Sequence, residues 1–336
     1  MQKTAEAVSV GHQDKTADFI SSFVLDRMIE QDPNVRYAVE VMIKGNTVVL
    51  GGEIGGNVNL DKPEQYVIQA LAEIGYDKRY ADIWGDCAIN PARLQVINMI
   101  GVQSAEIYQG VAANGWGDQG VFVGYAAQGE GKINRELFLA RKLNDALYNL
   151  ARGSNNLGLD IKTQITINDD KIETAIVAIP MQTEADLTDF IIDTLGEQPA
   201  NIIINGTGRY TVHGPIADCG ITGRKLACDF YSTAAPIGGG SPWTKDASKA
   251  DLTLNVYARI LACENLGDND ECFVYLSSCI GRAELPSATI KTIKDGNVTE
   301  RNLYIDRSPR QIINDCGLTE AIYTKLCRMG ICGIAN

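Results

Sequence analysis

Apolar positions after Gly11 recur at helical spacing. Ala17, Ile20, Val24 and Met28 predict a helix that opens near Asp14 and presents one apolar face, with Pro33 closing it. The period then changes. Tyr37, Val39, Val41 and Ile43 alternate with polar or small residues, Gly45-Asn46 supplies a two-residue turn, and residues 47–54 return, so a hairpin is predicted. A second helical stretch covers about residues 63–74. The same order comes back later. Residues 162–167 and 172–179 flank the polar turn Asn168-Asp169-Asp170, and a helical stretch follows over about residues 184–195. A fainter third unit has a helix near 251–266, a strand near 272–278 and a helix near 309–316. Repeated hairpin-plus-helix units predict an α+β chain built from three related sheets.

The first hairpin has a chemical consequence. With a two-residue turn, Glu40 stands opposite Gly51 and Glu53 opposite Ala38. Both carboxylates then share one sheet face as diagonal neighbours roughly 7–8 Å apart. Acids so placed repel unless a cation or an ammonium sits near them. A plainly solvated face is the alternative, and the pattern leaves both open.

Composition narrows the class. The chain has 336 residues, 45% hydrophobic and 21% charged, enough for two or three domains with real cores. A net charge of -12 argues against nucleic acid or an anionic membrane as the main partner, but not against a small anionic ligand at a locally basic site. No apolar run follows Met1 to make a signal peptide, and no stretch is long enough to span a membrane, so a cytoplasmic protein is expected. Nine scattered cysteines without a CxxC pair read as reduced thiols rather than a disulfide framework or a zinc site.

Local basicity does occur. Residues 205–251 carry five Lys/Arg against four Asp around Gly238-Gly239-Gly240, a balance that suits an anion held partly by glycine N–H groups. Neither a P-loop nor a Rossmann glycine fingerprint is present. Gly11-His12-Gln13-Asp14-Lys15 stands where a helix begins, a natural phosphate position; Asp14 there reads either as a Mg²⁺ ligand or as a capping acid. Trp116-Gly117-Asp118-Gln119-Gly120 reads as a tight loop with projecting polar side chains.

Taken in order, these motifs resemble the S-adenosylmethionine synthetase family. Residues 11–15 resemble its GHPDK, 38–54 its two acidic strands, 101–111 its GxQSxxIxQGV and 117–120 its GDQG. Residues 160–166 resemble its DxKxQVT strand, 205–225 its NPTGRF…GPxxDxGLTGRK signature and 238–251 its GGG…KDxSKxD signature. The resemblance implies three interlaced α+β domains with pseudo-threefold symmetry, with limits set here at 1–100, 115–213 and 214–336. It implies a methionine adenosyltransferase: the sulfur of methionine attacks C5′ of ATP, and the triphosphate is hydrolysed to pyrophosphate and phosphate. It also implies a homodimer or a dimer of dimers with sites between subunits, and no nucleic-acid or membrane partner.

Residue by residue, the resemblance has His12 neutralise the phosphate next to C5′, with Lys15, Lys162, Arg224, Lys225 and Lys245 holding the polyphosphate. Asp160, Arg209 and Tyr210 belong to the ATP site, where Tyr210 replaces a Phe that stacks on adenine. Glu53, Gln103, Asp218 and Lys249 match methionine-contacting positions, Asp218 lying close to ATP as well. Asp14 and Asp251 match carboxylates for a pair of Mg²⁺ ions, and Glu40 the position that holds K⁺. Departures include Gln13 for Pro, Gly206 for Pro, and a shortened lid segment at about 103–116. A shorter lid implies ready release of product, unless Trp116 plugs the gap. Two rival readings are a phosphotransferase using the same cations, which would release ADP, and a catalytically silent nucleotide-binding subunit.

Overall fold

A computed structural model of the protein describes residues 2–103 and 115–334. Its elements run β1 (Lys3–Val8), α1 (Gln13–Ile29), β2 (Arg36–Lys44), β3 (Thr47–Gly55), α2 (Pro63–Ile74), α3 (Lys78–Trp84) and β4 (Gln95–Val102). Next come β5 (Gly120–Ala127), α4 (Arg135–Arg152), β6 (Lys162–Asn168), β7 (Lys171–Ala178), α5 (Thr188–Leu195), β8 (Asn201–Ile204) and α6 (Gly214–Ala217). The remainder is β9 (Gly220–Ile221), α7 (Leu226–Asp229), α8 (Ala250–Asn265), β10 (Glu271–Ser278), β11 (Ser287–Lys294), β12 (Asn297–Asn302), α9 (Pro309–Asp315) and α10 (Tyr323–Met329).

The described residues form three four-stranded sheets, ordered β4-β3-β2-β9, β1-β6-β7-β8 and β12-β11-β10-β5. Each has an antiparallel pair at its centre and a strand brought from far away in sequence on one flank, always antiparallel. The other flank is parallel in two sheets, β4 on β3 and β8 on β7, and antiparallel in the third, β12 on β11. This accounts for a third unit that looks unlike the others in sequence. The borrowed strands interlace the three expected segments. β1, from 1–100, joins the sheet of β6–β8; β5, from 115–213, joins that of β10–β12; β9, from 214–336, joins that of β2–β4.

The Gly45-Asn46 turn gives the register read from the sequence: Glu40 pairs with Gly51 and Ala38 with Glu53. The alternating residues Tyr37, Val39, Val41 and Ile43 are buried, so both carboxylates lie on the opposite face. α1 departs from the one-faced helix. Every residue of it except Arg27 is buried, because sheets, loops and α10 surround it. Most of its polar residues therefore find partners inside the protein. Ser21 donates to Val39 O at 2.7 Å, Asp18 accepts the Gly223 N–H at 2.9 Å, and Asp26 accepts the N–H groups of Tyr323 and Thr324. This buried, largely polar helix at the centre of the fold is the platform that carries the candidate site.

Candidate functional site

The platform opens at His12, the N-cap of α1, which is 1% exposed. Gly11 before it lies flat on the chain at Leu159, where a Cβ would come 2.3 Å from the carbonyl oxygen, so only glycine fits. The His12 Nδ1 accepts the Asp14 N–H at 3.2 Å. Its Nε2 is buried without a hydrogen-bond partner among the described residues. Burial, reinforced by Lys225, Lys162 and Arg224, pushes the imidazole pKa down to about 2. In this structure His12 is thus a neutral imidazole whose Nε2 is a donor, in the field of Lys225, Lys162 and Arg224.

Asp14, one helical step further, is also buried. Its Oδ2 receives Lys225 Nζ at 2.6 Å, its Oδ1 the Ile221 N–H at 3.0 Å, and Arg224 stands 3.7 Å away. The strand that supplies Ile221 continues to Thr222, whose hydroxyl donates to Glu40. Glu40 also accepts hydroxyls from Thr244 at 3.0 Å and Ser241 at 3.3 Å. A carboxylate ringed by hydroxyl oxygens has donor chemistry suited to a hard cation. Behind it Lys245 Nζ reaches Asp251 at 2.5 Å and Gly240 O at 2.7 Å. Two of the three glycines are needed here: a Cβ on Gly238 would come 2.5 Å from Val123 N, and Gly239 has φ +66° and would put a Cβ 2.8 Å from the Asp251 carboxylate.

On the other flank, Asp160 accepts the Gly214 N–H through Oδ2 at 2.9 Å, while its buried Oδ1 has no protein partner among the described residues. Burial raises its pKa to about 6, against the Gly214 hydrogen bond and the nearby Lys162. Lys162 stands exposed at the first position of β6. Arg209 is fixed by Gln182 O at 2.9 Å, and Tyr210 is half-buried close to Asp160. Among the methionine candidates, Gln103 donates to Glu53 at 3.1 Å. Asp218 accepts from Gln13 at 3.2 Å and acts electrostatically on His12. Lys249 caps α8 one turn from Lys245.

Lys15 does not join this group. Its Nζ is enclosed by Asp229 at 2.7 Å and Asp18 at 3.4 Å and lies over the Trp243 ring. Burial alone would discharge it, but the Asp229 carboxylate holds its pKa above the ordinary lysine range. The expected polyphosphate contact is therefore corrected to an internal ion pair. Trp116, the alternative plug for the shortened lid, lies in a core cluster. It is 1% exposed and packs with Phe122, Leu254 and Leu276 in the core beneath the β5 sheet. The rest of the expected lid falls on residues 104–114, which lie outside the described residues. Functional neighbours to which the motifs gave no role are Thr222, Ser241 and Thr244 around Glu40, and Asp229 beneath Lys15.

Comparison with known proteins gives a consistent result. The model of the S-adenosylmethionine synthetase N-terminal domain matches residues 1–105, and that of the C-terminal domain matches residues 212–336. S-adenosylmethionine synthase 2 of Rhodospirillum rubrum is 32% identical over 360 aligned positions, taking in 97% of this chain and 90% of that protein. Among solved structures, one described as an unusual S-adenosylmethionine synthetase from Campylobacter jejuni matches with a TM-score of 0.86 at 29% identity, covering 99% of this chain and 95% of that one.

Proposed function

The chain belongs to the S-adenosylmethionine synthetase family, and from that premise we propose how its residues divide the work of the reaction. The reaction is methionine adenosyl transfer: the sulfur attacks C5′ of ATP and the triphosphate departs, to be hydrolysed to pyrophosphate and phosphate. The attacking thioether carries no proton, so no general base is required. The demand is to align the reactants and stabilise a strongly anionic leaving group.

The observation that carries the reading is the His12 Nε2–H, a buried donor left free and ringed by Lys162, Arg224 and Lys225. We assign it to an oxygen of the phosphate next to C5′, with those cations and Lys245 along the rest of the chain of phosphates. Asp160 and Tyr210 take the nucleoside, and Arg209 orders the loop that presents Tyr210. Glu53, Gln103, Asp218 and Lys249 take the methionine, whose ammonium suits carboxylates and whose carboxylate suits the lysine. Asp14 and Asp251 fit Mg²⁺: each is already paired with a lysine that could turn to phosphate. The hydroxyl-ringed Glu40 fits K⁺. When bound, these cations would lower the cost of gathering the anionic groups. Lys15 acts from beneath, holding α1 through Asp229 and Asp18.

We propose further that two copies, or a dimer of such dimers, complete the site. Ile221, Met42, Val49 and Ile97 form one row across the β9-β2-β3-β4 sheet. Met42, Ile97 and Ile221 are 42%, 49% and 38% exposed, and Met99 two residues along is 67% exposed. Glu40 and Glu53 lie on this same face, so a second copy covering the row would close over the site. No helix among the described residues is long and apolar enough to cross a membrane, and we place the enzyme in the cytoplasm. The test is an assay with ATP, methionine, Mg²⁺ and K⁺ that follows adenosylated product and phosphates. Methionine-independent formation of ADP as the main activity would overturn the reading in favour of a phosphotransferase, and binding of ATP without turnover would favour a regulatory subunit.

A further inference from the structure

A buried aromatic group on and before α3 ties together the three chain segments that carry the nucleotide-site residues. Tyr76, Tyr80 and Trp84 recur every four residues and pack in sequence, the first pair edge-on and the second stacked, with ring centroids 5.2 Å and 5.8 Å apart. The His213 ring packs edge-on against Trp84 at 4.6 Å and Tyr80 at 5.8 Å. All four side chains are buried.

The polar atoms of Tyr76, Tyr80 and His213 bond the backbone of the site and one another. The Tyr76 hydroxyl donates to Gly11 O at 2.5 Å, immediately before His12. The Tyr80 hydroxyl accepts the Leu159 N–H at 3.0 Å, immediately before Asp160, and lies 2.5 Å from His213 Nε2. His213 Nδ1 lies 2.6 Å from Thr211 O, immediately after Tyr210. A carbonyl only accepts, so Nδ1 carries the proton, Nε2 accepts, and Tyr80 donates to it. One consistent arrangement satisfies both tyrosine hydroxyls and both His213 nitrogens. Gly214, the residue after His213, has φ +57° and would put a Cβ 2.9 Å from the Tyr76 hydroxyl. Its N–H is the one that holds Asp160.

From this geometry we propose that Tyr80 and His213, with Tyr76, are positioning residues for the nucleotide. They touch no reacting atom; they fix the spacing of His12, Asp160 and Tyr210 to one another. Buried hydrogen bonds onto backbone suit this task, since sub-ångström shifts in a binding loop are felt as affinity. Three of the four methionine candidates, Glu53, Gln103 and Lys249, stand on other elements, and only Asp218 follows His213, at the far end of α6, so the effect falls mainly on ATP. The inference rests on the nucleotide role assigned above to Asp160 and Tyr210.

The experiment compares Tyr80→Phe and His213→Asn with Trp84→Phe, measuring KM for ATP and for methionine separately, together with Tm. Trp84 belongs to the same stack, but its Nε1 makes no hydrogen bond among the described residues, so its variant trims packing alone. Tyr80→Phe and His213→Asn should each raise the ATP KM about three- to tenfold, the scale of one hydrogen bond, while the methionine KM stays within about twofold. The double variant should be no worse than either single one, because both cut the same chain of bonds. Trp84→Phe should lower Tm and leave the ratio of the two KM values alone. An unmoved ATP KM in folded Tyr80→Phe and His213→Asn overturns the proposal, as does an equal shift for both substrates. Should Tyr80→Phe fail to fold, His213→Asn decides alone. Asp160→Asn and Tyr210→Ala serve as references. If they raise the ATP KM while the first two variants do not, the positioning role fails and the site reading survives. If they too leave it unchanged, the site reading itself is wrong.

Discussion

His12 turns one ring nitrogen to the backbone of Asp14 and keeps the other, Nε2, buried without a partner among the described residues, in the field of Lys225, Lys162 and Arg224. The bond to the Asp14 N–H caps α1 and, in the same act, fixes the tautomer so that the free nitrogen is a donor. On the proposed reading, capping and catalysis are coupled in one side chain. His12→Ala should cost about 1 kcal/mol of stability from the lost cap and about 10²–10³ in kcat from the lost donor. His12→Gln, whose amide keeps an N–H, should recover part of the kcat. Urea melts and single-turnover kinetics separate the two losses. Equal kcat in the alanine variant and the parent would remove His12 from the chemistry.

Asp160 is held at a cost. Its carboxyl pKa is raised to about 6 in the fold from an ordinary 3.8, mainly by burial. The folded state therefore binds the proton more tightly than the unfolded chain. Stability falls as pH rises from about 4 to 6 and stays lower above that. Asp160→Asn should gain on the order of 1–2 kcal/mol near pH 8, a gain that vanishes below pH 4, after allowance for the group's partial exposure. The same variant should bind ATP poorly. Melting curves at pH 4.5 and pH 8 check the sign; a variant less stable than the parent at pH 8 contradicts it.

Two lysines in the recognised motifs should behave differently. Lys15→Met leaves Asp229 and Asp18 buried without their cation, so about 3–5 kcal/mol of stability should go. Lys245→Met should leave Tm nearly unchanged and lower turnover by about 10²–10³. A folded Lys15→Met enzyme of normal Tm and poor turnover would restore Lys15 to the substrate.

The two acids of the first hairpin share a face but not a neighbourhood. Glu40 collects three hydroxyls, whereas Glu53 pairs with Gln103. Glu40→Gln should abolish or strongly weaken activation by K⁺, and Glu53→Gln should mainly raise the methionine requirement. Activity titrated with K⁺ at fixed substrate tests the first; an unaltered K⁺ response in Glu40→Gln rules out the cation role.

How much of this was legible in the sequence depends on how local the cause is. The Gly45-Asn46 turn sets its own register, so the placement of Glu40 and Glu53 followed from a few residues. Lys15 shows the limit. Sequence neighbours on a helix point about 100° apart, so if Asp14 faces the site, Lys15 faces elsewhere, and only the fold reveals that Asp229 waits there. The full burial of α1 was hidden for the same reason: many of its polar side chains have partners far away in sequence, up to 298 residues. The helix α4 had a readable period in Leu137, Ala140, Leu143 and Leu147, but no turn as sharp as the first hairpin's announces it. The strands β1, β5 and β9 were least visible, because none pairs with anything near it in sequence.

The three borrowed strands bear on how the protein is made. As the nascent chain leaves the ribosome, β1 emerges first, yet its partner β6 comes about 160 residues later. β5 waits for β10 in the same way, and β2 stays an open edge until β9 arrives. Long-range closure of this kind folds slowly, and unpaired strand edges invite aggregation while it is pending. A ribosome stalled near residue 213 would hold a chain with all three sheets begun and two lacking their borrowed strand or its partner. Synthesis speed and chaperone capture in that interval should therefore set the yield of this protein more than the stability of the finished fold.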